Sequence, residues 1–213
     1  MPRVSRKQAD LNRETIVAAA TRLFRERGLH GISVVDVMAA AGLTHGGFYG
    51  HFESREALAQ EASGRAFEQA AQRWLGRVAE HDSKDAARRA VVETYLSNES
   101  RDNPGDSCPV VAFAGDMCHE AAESGLRQTY MLGLNNLLDS LGSLLDTEDE
   151  AGKRQQALVQ YSLMFGALML SRATRGDPLS DEILEAARAT LMPSKQSGAR
   201  ADFTMPTGGQ ACL

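Results

Sequence analysis

The sequence has few cysteines and no long apolar segment. Its three cysteines are an odd number without the paired spacing of a zinc site, which favours a reducing cytoplasm over a disulfide framework. No run approaches the ~18 consecutive apolar residues of a membrane span. The first residues are polar and basic, with no apolar core that would indicate a signal peptide. We therefore expect a cytoplasmic protein with no membrane partner.

Signatures of catalysis are also missing from the sequence. There is no nucleophile elbow, phosphate-binding loop or cluster of metal ligands. His45 and His51 are six positions apart, which is about 240° of rotation on a helix, so they face different directions. We expect no enzymatic activity, no cofactor and no metal.

Charge is distributed unevenly along the chain. Residues 1–53 hold seven basic and five acidic side chains, a net of +2, although the whole chain carries −5. Such an asymmetry suggests that only the N-terminal part meets a polyanion, and Arg3, Arg6 and Lys7 are interpreted as a flexible basic arm. Because this excess of positive charge is small, a DNA-binding surface must be identified from the positions of individual residues.

The apolar spacing predicts an all-α protein of about nine helices. Helices are predicted at 12–27, from Ser33 to Gly42, in a short piece capped by Thr44 and from Ser54 to about His81. Asp36 stands three residues after Ser33, the spacing of a capping box. Further helices are predicted near 84–101, 107–118, 120–146, 150–175 and 180–191. We divide the chain into a helix-turn-helix domain at 1–53, a larger helical domain at 54–192 and a mobile tail at 193–213, which is rich in Ser, Gly, Thr and Pro.

The stretch LTHGGFYGHF, residues 43–52, is unusual for a helix. Three of its ten residues are glycine, and each glycine inside a helix costs roughly 1 kcal/mol relative to alanine. A helix that must lie against DNA base edges gives Gly46 and Gly47 a purpose, because they let the backbone approach closely, whereas Gly50 stays an open question. Phe48 and Phe52, one turn apart, would anchor its inner face.

Several side chains around this stretch are suited to contact DNA. Hydroxyl groups and free amides at helix N-termini favour phosphate, neighbouring polar side chains can reach the backbone, and the second residue of the third helix is the best placed to read a base edge. The predicted DNA-binding residues are Ser33, Thr44, His45, Gly46, Gly47, Tyr49, His51 and Arg55. The alternatives are that Ser33 and Thr44 only cap helices and that Tyr49 is a core aromatic.

The run ISVVDVMAAAGLTHGGFYGHFESREAL, residues 32–58, resembles the N-terminal domain of the TetR family of bacterial transcriptional regulators. The Ser33 cap, the Ala41-Gly42-Leu43 turn and the Tyr49-x-His51-Phe52 signature carry the resemblance. It implies a DNA-binding regulator, most simply a repressor, that binds a palindromic operator as a homodimer and is released by a small-molecule effector. Arg55 stands where the family often has lysine, and Gly50 replaces a larger residue, which puts one phosphate contact in doubt.

The last two predicted helices have apolar faces typical of an interface. The resemblance implies that they pair with their copies in a four-helix dimer contact, while burial within one subunit is the alternative. The candidates are Leu158, Tyr161, Phe165, Leu168, Met169, Arg172, Ile183, Leu184, Ala187 and Leu191.

The resemblance also implies an effector cavity between helices of the larger domain. Large apolar side chains with a few polar tips are typical of such pockets, although each is also suited to an ordinary core. The candidates are Trp74, Tyr95, Cys108, Phe113, Met117, Tyr130 and Phe165.

Cys108 stands at a predicted helix start, just before Pro109. A thiol at a helix N-terminus can be reactive, which leads to a second hypothesis, a redox-sensing regulator on the same DNA-binding scaffold. The simpler interpretation of Cys108 is a small buried residue.

Overall fold

The structure is a computed structural model, which describes residues 5–147 and 149–193. Arg3, Cys212 and the predicted tail beyond Pro193 lie outside these residues. The described chain contains nine α-helices, two 3₁₀ helices and no strand, which confirms the all-α prediction.

The N-terminal region contains the first two α-helices and a 3₁₀ helix. Their bounds are α1 Arg6–Arg27, α2 Val34–Ala40 and the 3₁₀ helix His45–Gly50. The predicted start of the first helix was too late: Ser5 caps it, so Arg6 and Lys7 lie in ordered helix instead of a flexible arm. Gly28 ends α1 at φ 78°, a left-handed conformation that glycine adopts readily.

The larger region contains seven α-helices and a short 3₁₀ turn. Their bounds are α3 Arg55–Ala79, α4 Lys84–Tyr95, α5 Asn98–Asp102, the 3₁₀ turn Pro104–Asp106, α6 Pro109–Met117, α7 Gly125–Ser143, α8 Glu150–Ala173 and α9 Pro178–Leu191. The single helix predicted at 84–101 is wrong, because the helix ends at Leu96 and the Ser97 hydroxyl caps a new one. The helix predicted from residue 120 begins only at Gly125, after the Ser124 cap.

Helix α3 joins the two regions, since it packs on α1 at its start and along α7 further on. Gly133 of α7 makes this second contact close, because a Cβ there would overlap the ring of Phe67 in α3. Phe67 in turn meets Tyr130 edge to face, with centroids 5.7 Å apart. Helices α8 and α9 pack on each other and close the other side of the bundle.

Candidate nucleic-acid interface and effector cavity

The helix-turn-helix is fixed by local hydrogen bonds. In α2, the amide of Asp36 donates to the Ser33 hydroxyl while the Asp36 carboxylate accepts from the Ser33 amide, which confirms the predicted capping box. The turn after α2 passes through Gly42 at φ 69°. The amide of Leu43 then donates to the carbonyl of Met38 at 2.9 Å.

The 3₁₀ helix presents one buried face and one open face. Phe48 is fully buried and stacks on Phe52 with centroids 5.6 Å apart, whereas Tyr49 is 70% exposed. The open face is lined by Thr44, His45, Gly46, Gly47, Tyr49 and Gly50, all exposed. The anchoring role predicted for the two phenylalanines is therefore what the structure shows, and Tyr49 is not a core residue.

The glycines of the open face are not required by the protein's own packing. A Cβ added at Gly46 or Gly50 would meet no atom within 4 Å, and one at Gly47 would meet only the Met38 methyl at 3.7 Å. All three lack the left-handed backbone angles that require glycine. The fold of the subunit therefore does not itself require glycine at these positions.

Two of the residues predicted to contact DNA make hydrogen bonds within the subunit. Arg55 is half-buried, and its guanidinium donates to the carbonyls of Leu29 and Ile32, so it holds the loop between α1 and α2. The Ser33 hydroxyl donates to Asp36 at 2.6 Å and is committed to the capping box. Spacing alone could not show this, since both residues also stand at helix starts where phosphate contacts occur.

Thr44 and His51 border the open face from its two ends. Thr44 occupies the N-cap position, but its side chain makes no capping hydrogen bond, contrary to prediction, and its hydroxyl remains exposed. His51 is half-buried, with its amide donating to the Phe48 carbonyl.

The larger region encloses a cavity of about 550 Å³. Helices α3, α4 and α5, the segment before α6, and Leu137 of α7 form its wall. The lining residues are Ala70, Arg73, Trp74, Gly76, Arg77, Glu80, Val91, Thr94, Tyr95, Glu99, Ser100, Asn103, Asp106, Ser107, Cys108 and Leu137.

Three of the seven predicted pocket residues, Trp74, Tyr95 and Cys108, line this cavity. The other four do not. Phe113, Met117 and Tyr130 are buried in the core, and Phe165 packs against it from α8. Sequence reasoning chose large apolar side chains and missed Arg73 and Arg77, although their spacing with Trp74 on one face of α3 was a usable signal.

Cys108 is the N-cap residue of α6, directly before Pro109 as predicted, and it is buried. Its sulfur lies 3.4 Å from the hydroxyl of Tyr161. Burial raises the pKa of Tyr161 and of neighbouring Tyr95 well above the ordinary tyrosine value. The two phenol groups are therefore neutral and poorly hydrated.

A buried arginine connects the cavity wall to the first helix. Arg25 of α1 has a 2% exposed side chain and donates to the Gln69 amide oxygen at 3.0 Å and to the Ser107 carbonyl at 3.5 Å. Desolvation lowers its pKa to about 10. A second connection runs from the Leu29 amide to the Asp116 carboxylate at 2.8 Å.

The predicted interface residues divide between core and surface. Tyr161, Leu168, Leu184, Ala187 and Leu191 are buried within their own subunit, so the alternative assignment is correct for them. Arg172 donates to the Ser100 carbonyl at 2.7 Å. Phe165 and Ile183 are half-buried.

The apolar surface that remains open on α8 contains Leu158 and Met169 from the predicted set, together with Val159 and Leu170. The predicted face did not include Val159 and Leu170, because more than one side of α8 is apolar. We call these four exposed residues the α8 stripe.

Metal and membrane features are not seen in the described residues. Across 5–147 and 149–193, no three His, Cys, Asp or Glu side chains are grouped as a metal site. No helix in this part of the chain is long and apolar enough to cross a bilayer.

Comparison with known proteins agrees with the N-terminal geometry. Residues 16–62 match the family of bacterial regulatory proteins described as the tetR family. The repressor DhaR of a Mycobacterium species is 31% identical over 105 residues, 49% of this chain and 52% of that protein. The repressor KstR2 of Rhodococcus jostii is 28% identical over 58% of this chain and 57% of its own length. The chain thus spans about half the length of the curated relatives it matches.

Solved structures extend the likeness across both regions. A TetR transcriptional regulator from Chloroflexus aurantiacus superposes with a TM-score of 0.70 and 26% identity, over 87% of this chain and 94% of that one. Reduced Escherichia coli NemR gives a TM-score of 0.72 at 23% identity, over 85% of this chain and 95% of that one, which shows a shared fold.

Proposed function

We propose that this chain, whose residues 16–62 match the tetR family of bacterial regulatory proteins, is a member of that family. Its proposed function is that of a ligand-responsive repressor that binds a palindromic operator as a homodimer. The open glycine face of the 3₁₀ helix carries the proposal. Gly46 and Gly50 have free space around them, so a backbone kept bare there is explained by close approach to a partner outside the subunit.

His45 is the side chain proposed to read a base edge. It is exposed at the first position of the 3₁₀ helix, where the turn after α2 directs it outward. Thr44 and Tyr49 flank it with exposed hydroxyl groups suited to phosphate oxygens. Arg55 supports this surface indirectly, because it holds the loop that positions α2.

The second subunit is proposed to cover the α8 stripe. Leu158, Val159, Met169 and Leu170 are large apolar side chains that a lone subunit exposes to water. Gly166 lies in the same stretch and permits close helix approach, because a Cβ added there would meet no atom within 4 Å. A two-fold dimer would present two reading helices about 34–36 Å apart, which matches successive turns of one DNA groove.

The proposed effector acts through the segment before α6. Ser107 lines the cavity and accepts a hydrogen bond from Arg25, so a ligand that shifts this segment also disturbs α1. By linkage, effector and operator then weaken each other's binding by the same factor.

The test is operator binding by the intact protein. Fluorescence anisotropy with duplexes from the region flanking its own gene should identify a palindromic site whose affinity falls linearly with salt on logarithmic axes. His45→Ala should relax base preference at one position by ~1–3 kcal/mol, while Tyr49→Phe should weaken all duplexes alike. Salt-independent binding, or none to any flanking duplex, contradicts the proposal.

A thiol-sensing regulator is the second candidate, favoured by Cys108 at the head of α6 with its sulfur beside the Tyr161 hydroxyl. Peroxide should then release the operator from the parent protein and from Cys118→Ser, whose thiol is exposed, but not from Cys108→Ser. Equal release from Cys108→Ser would remove this candidate.

A further inference from the structure

The cavity contains a buried hydroxyl group without a partner. Tyr95 is only 6% exposed, and its hydroxyl makes no hydrogen bond of normal geometry within the described residues, although Cys108 and Tyr161 are close by. A buried polar group without a partner is uncommon because its lost hydration is not replaced. Since Tyr95 lines the cavity, a ligand atom can supply the missing acceptor.

Two guanidinium groups add further donors to the same wall. Arg73 and Arg77 lie one turn apart on the cavity face of α3, and neither forms an ion pair or side-chain hydrogen bond with the described residues. Both residues are exposed, although partial burial of the Arg73 guanidinium still lowers its pKa through desolvation. A guanidinium in such surroundings gains more from an oxyanion than one in bulk water.

The acidic residues of the wall are less suited to select a ligand. Asp106 lies 4.0 Å from the buried guanidinium of Arg25, which already balances its charge. Glu80 and Glu99 are exposed, one at the end of α3 and the other in the first turn of α5, where the helix dipole favours a carboxylate. Exposure does not separate these two carboxylates from Arg73 and Arg77, but the buried side-chain atom without a partner among the described wall residues is the Tyr95 hydroxyl, a hydrogen-bond donor.

The rest of the wall fits an apolar body. Ala70, Trp74, Val91 and Leu137 line the cavity, and the indole of Trp74 offers a flat face. The volume of about 550 Å³ is in the range of sites for small organic ligands. We infer that the effector is a small carboxylate on an apolar, preferably aromatic, body, bound by Arg73 and the Tyr95 hydroxyl. This inference rests on the proposed effector cavity and does not depend on which DNA the protein reads.

The test uses the intact protein and three probes of one shape, para-tert-butylbenzoate, the matched benzyl alcohol and the matched benzylamine. Trp74 is the only tryptophan of the chain and lines the cavity, so its fluorescence reports binding without DNA. The benzoate should bind at least about tenfold more tightly than the alcohol or the amine. Equal affinities, a preference for the amine, or no binding of the benzoate overturns the inference.

Variants separate recognition from folding. Arg73→Gln should abolish the preference for the benzoate over the alcohol, whereas Arg175→Gln, an exposed position away from the cavity, should retain it. Tyr95→Phe should weaken benzoate binding about tenfold with no loss of thermal stability, because the hydroxyl satisfies nothing within the protein. A destabilised Tyr95→Phe that binds the benzoate as before would assign the hydroxyl to the fold and contradict the inference.

The two proposals fail in distinguishable ways. Carboxylate binding without any operator would leave the inference standing and remove the DNA-binding proposal. Operator binding by a protein with no preference for the carboxylate would leave the DNA-binding proposal standing and overturn the inference about the effector.

As a control on volume, Gly76→Phe places a side chain where a Cβ meets no atom within 4 Å, and it should reduce binding of all three probes together. Unchanged benzoate affinity in Gly76→Phe would place the probe outside the cavity and overturn the inference.

Discussion

The two regions of the protein build their sites differently. The N-terminal surface comes from one continuous stretch, in which Thr44 to Gly50 share an exposed face and Phe48 fixes it from beneath. The cavity draws on helices far apart in sequence, since Trp74 and Leu137 belong to α3 and α7. A contiguous site can be interpreted from sequence spacing, whereas a site assembled from distant helices depends on how these pack.

Single substitutions on the inner and outer faces of the 3₁₀ helix should have very different effects on folding stability. Phe48→Ala removes a fully buried ring and should lower the free energy of unfolding by ~3–5 kcal/mol. Tyr49→Ala, at the exposed neighbour, should change it by no more than ~0.5 kcal/mol. Urea unfolding followed by circular dichroism measures both, and similar losses for the two variants would contradict the assigned faces.

Substitution of Arg25 tests whether this residue connects the two regions. Arg25→Met removes the hydrogen bonds to Gln69 and Ser107 and should cost ~1–3 kcal/mol, because their oxygens lose a charged donor. Hydrogen exchange should then accelerate together around residues 25–30 and 104–108. Lys7→Met, an exposed change at the far end of the same helix, is the control. Unchanged exchange at 104–108 would mean that Arg25 does not connect the regions.

The smallest expected effect concerns the glycines of the open face. Gly46→Ala and Gly50→Ala both enter open space, so each should leave folding stability unchanged or raise it by up to ~1 kcal/mol. Operator affinity should fall about tenfold for Gly46→Ala, ~1.4 kcal/mol, and less for Gly50→Ala. Anisotropy titrations compare the two, and the reverse order would overturn the assignment of Gly46 to the DNA-facing side.

Sequence reasoning succeeded where interactions are local. The capping box of Ser33 and Asp36, the Gly42 turn and the Cys108-Pro109 helix start depend on neighbours within a few residues, and the structure contains all three. It did not foresee the hydrogen bonds of Arg55, because the carbonyls of Leu29 and Ile32 approach this side chain only after α3 packs against α1.

In the larger region too, sequence patterns did not show how side chains are placed by the packing of distant helices. Helix α8 is apolar on several sides, so periodicity could not distinguish the face that packs inward through Leu168 from the face that stays open through Leu170. Phe113 and Tyr130 had the right chemistry for a pocket but are enclosed by the core.

By itself the sequence determined the all-α class, the helix-turn-helix and the exposed glycine-containing stretch, because capping, turn chemistry and apolar spacing act over one or two helical turns. Only the tertiary structure decided which side chains face the cavity and which connect it to α1. The positions of Arg73, Tyr95 and Arg25 relative to one another follow from the packing of α1, α3, α4 and α6, which no local pattern encodes.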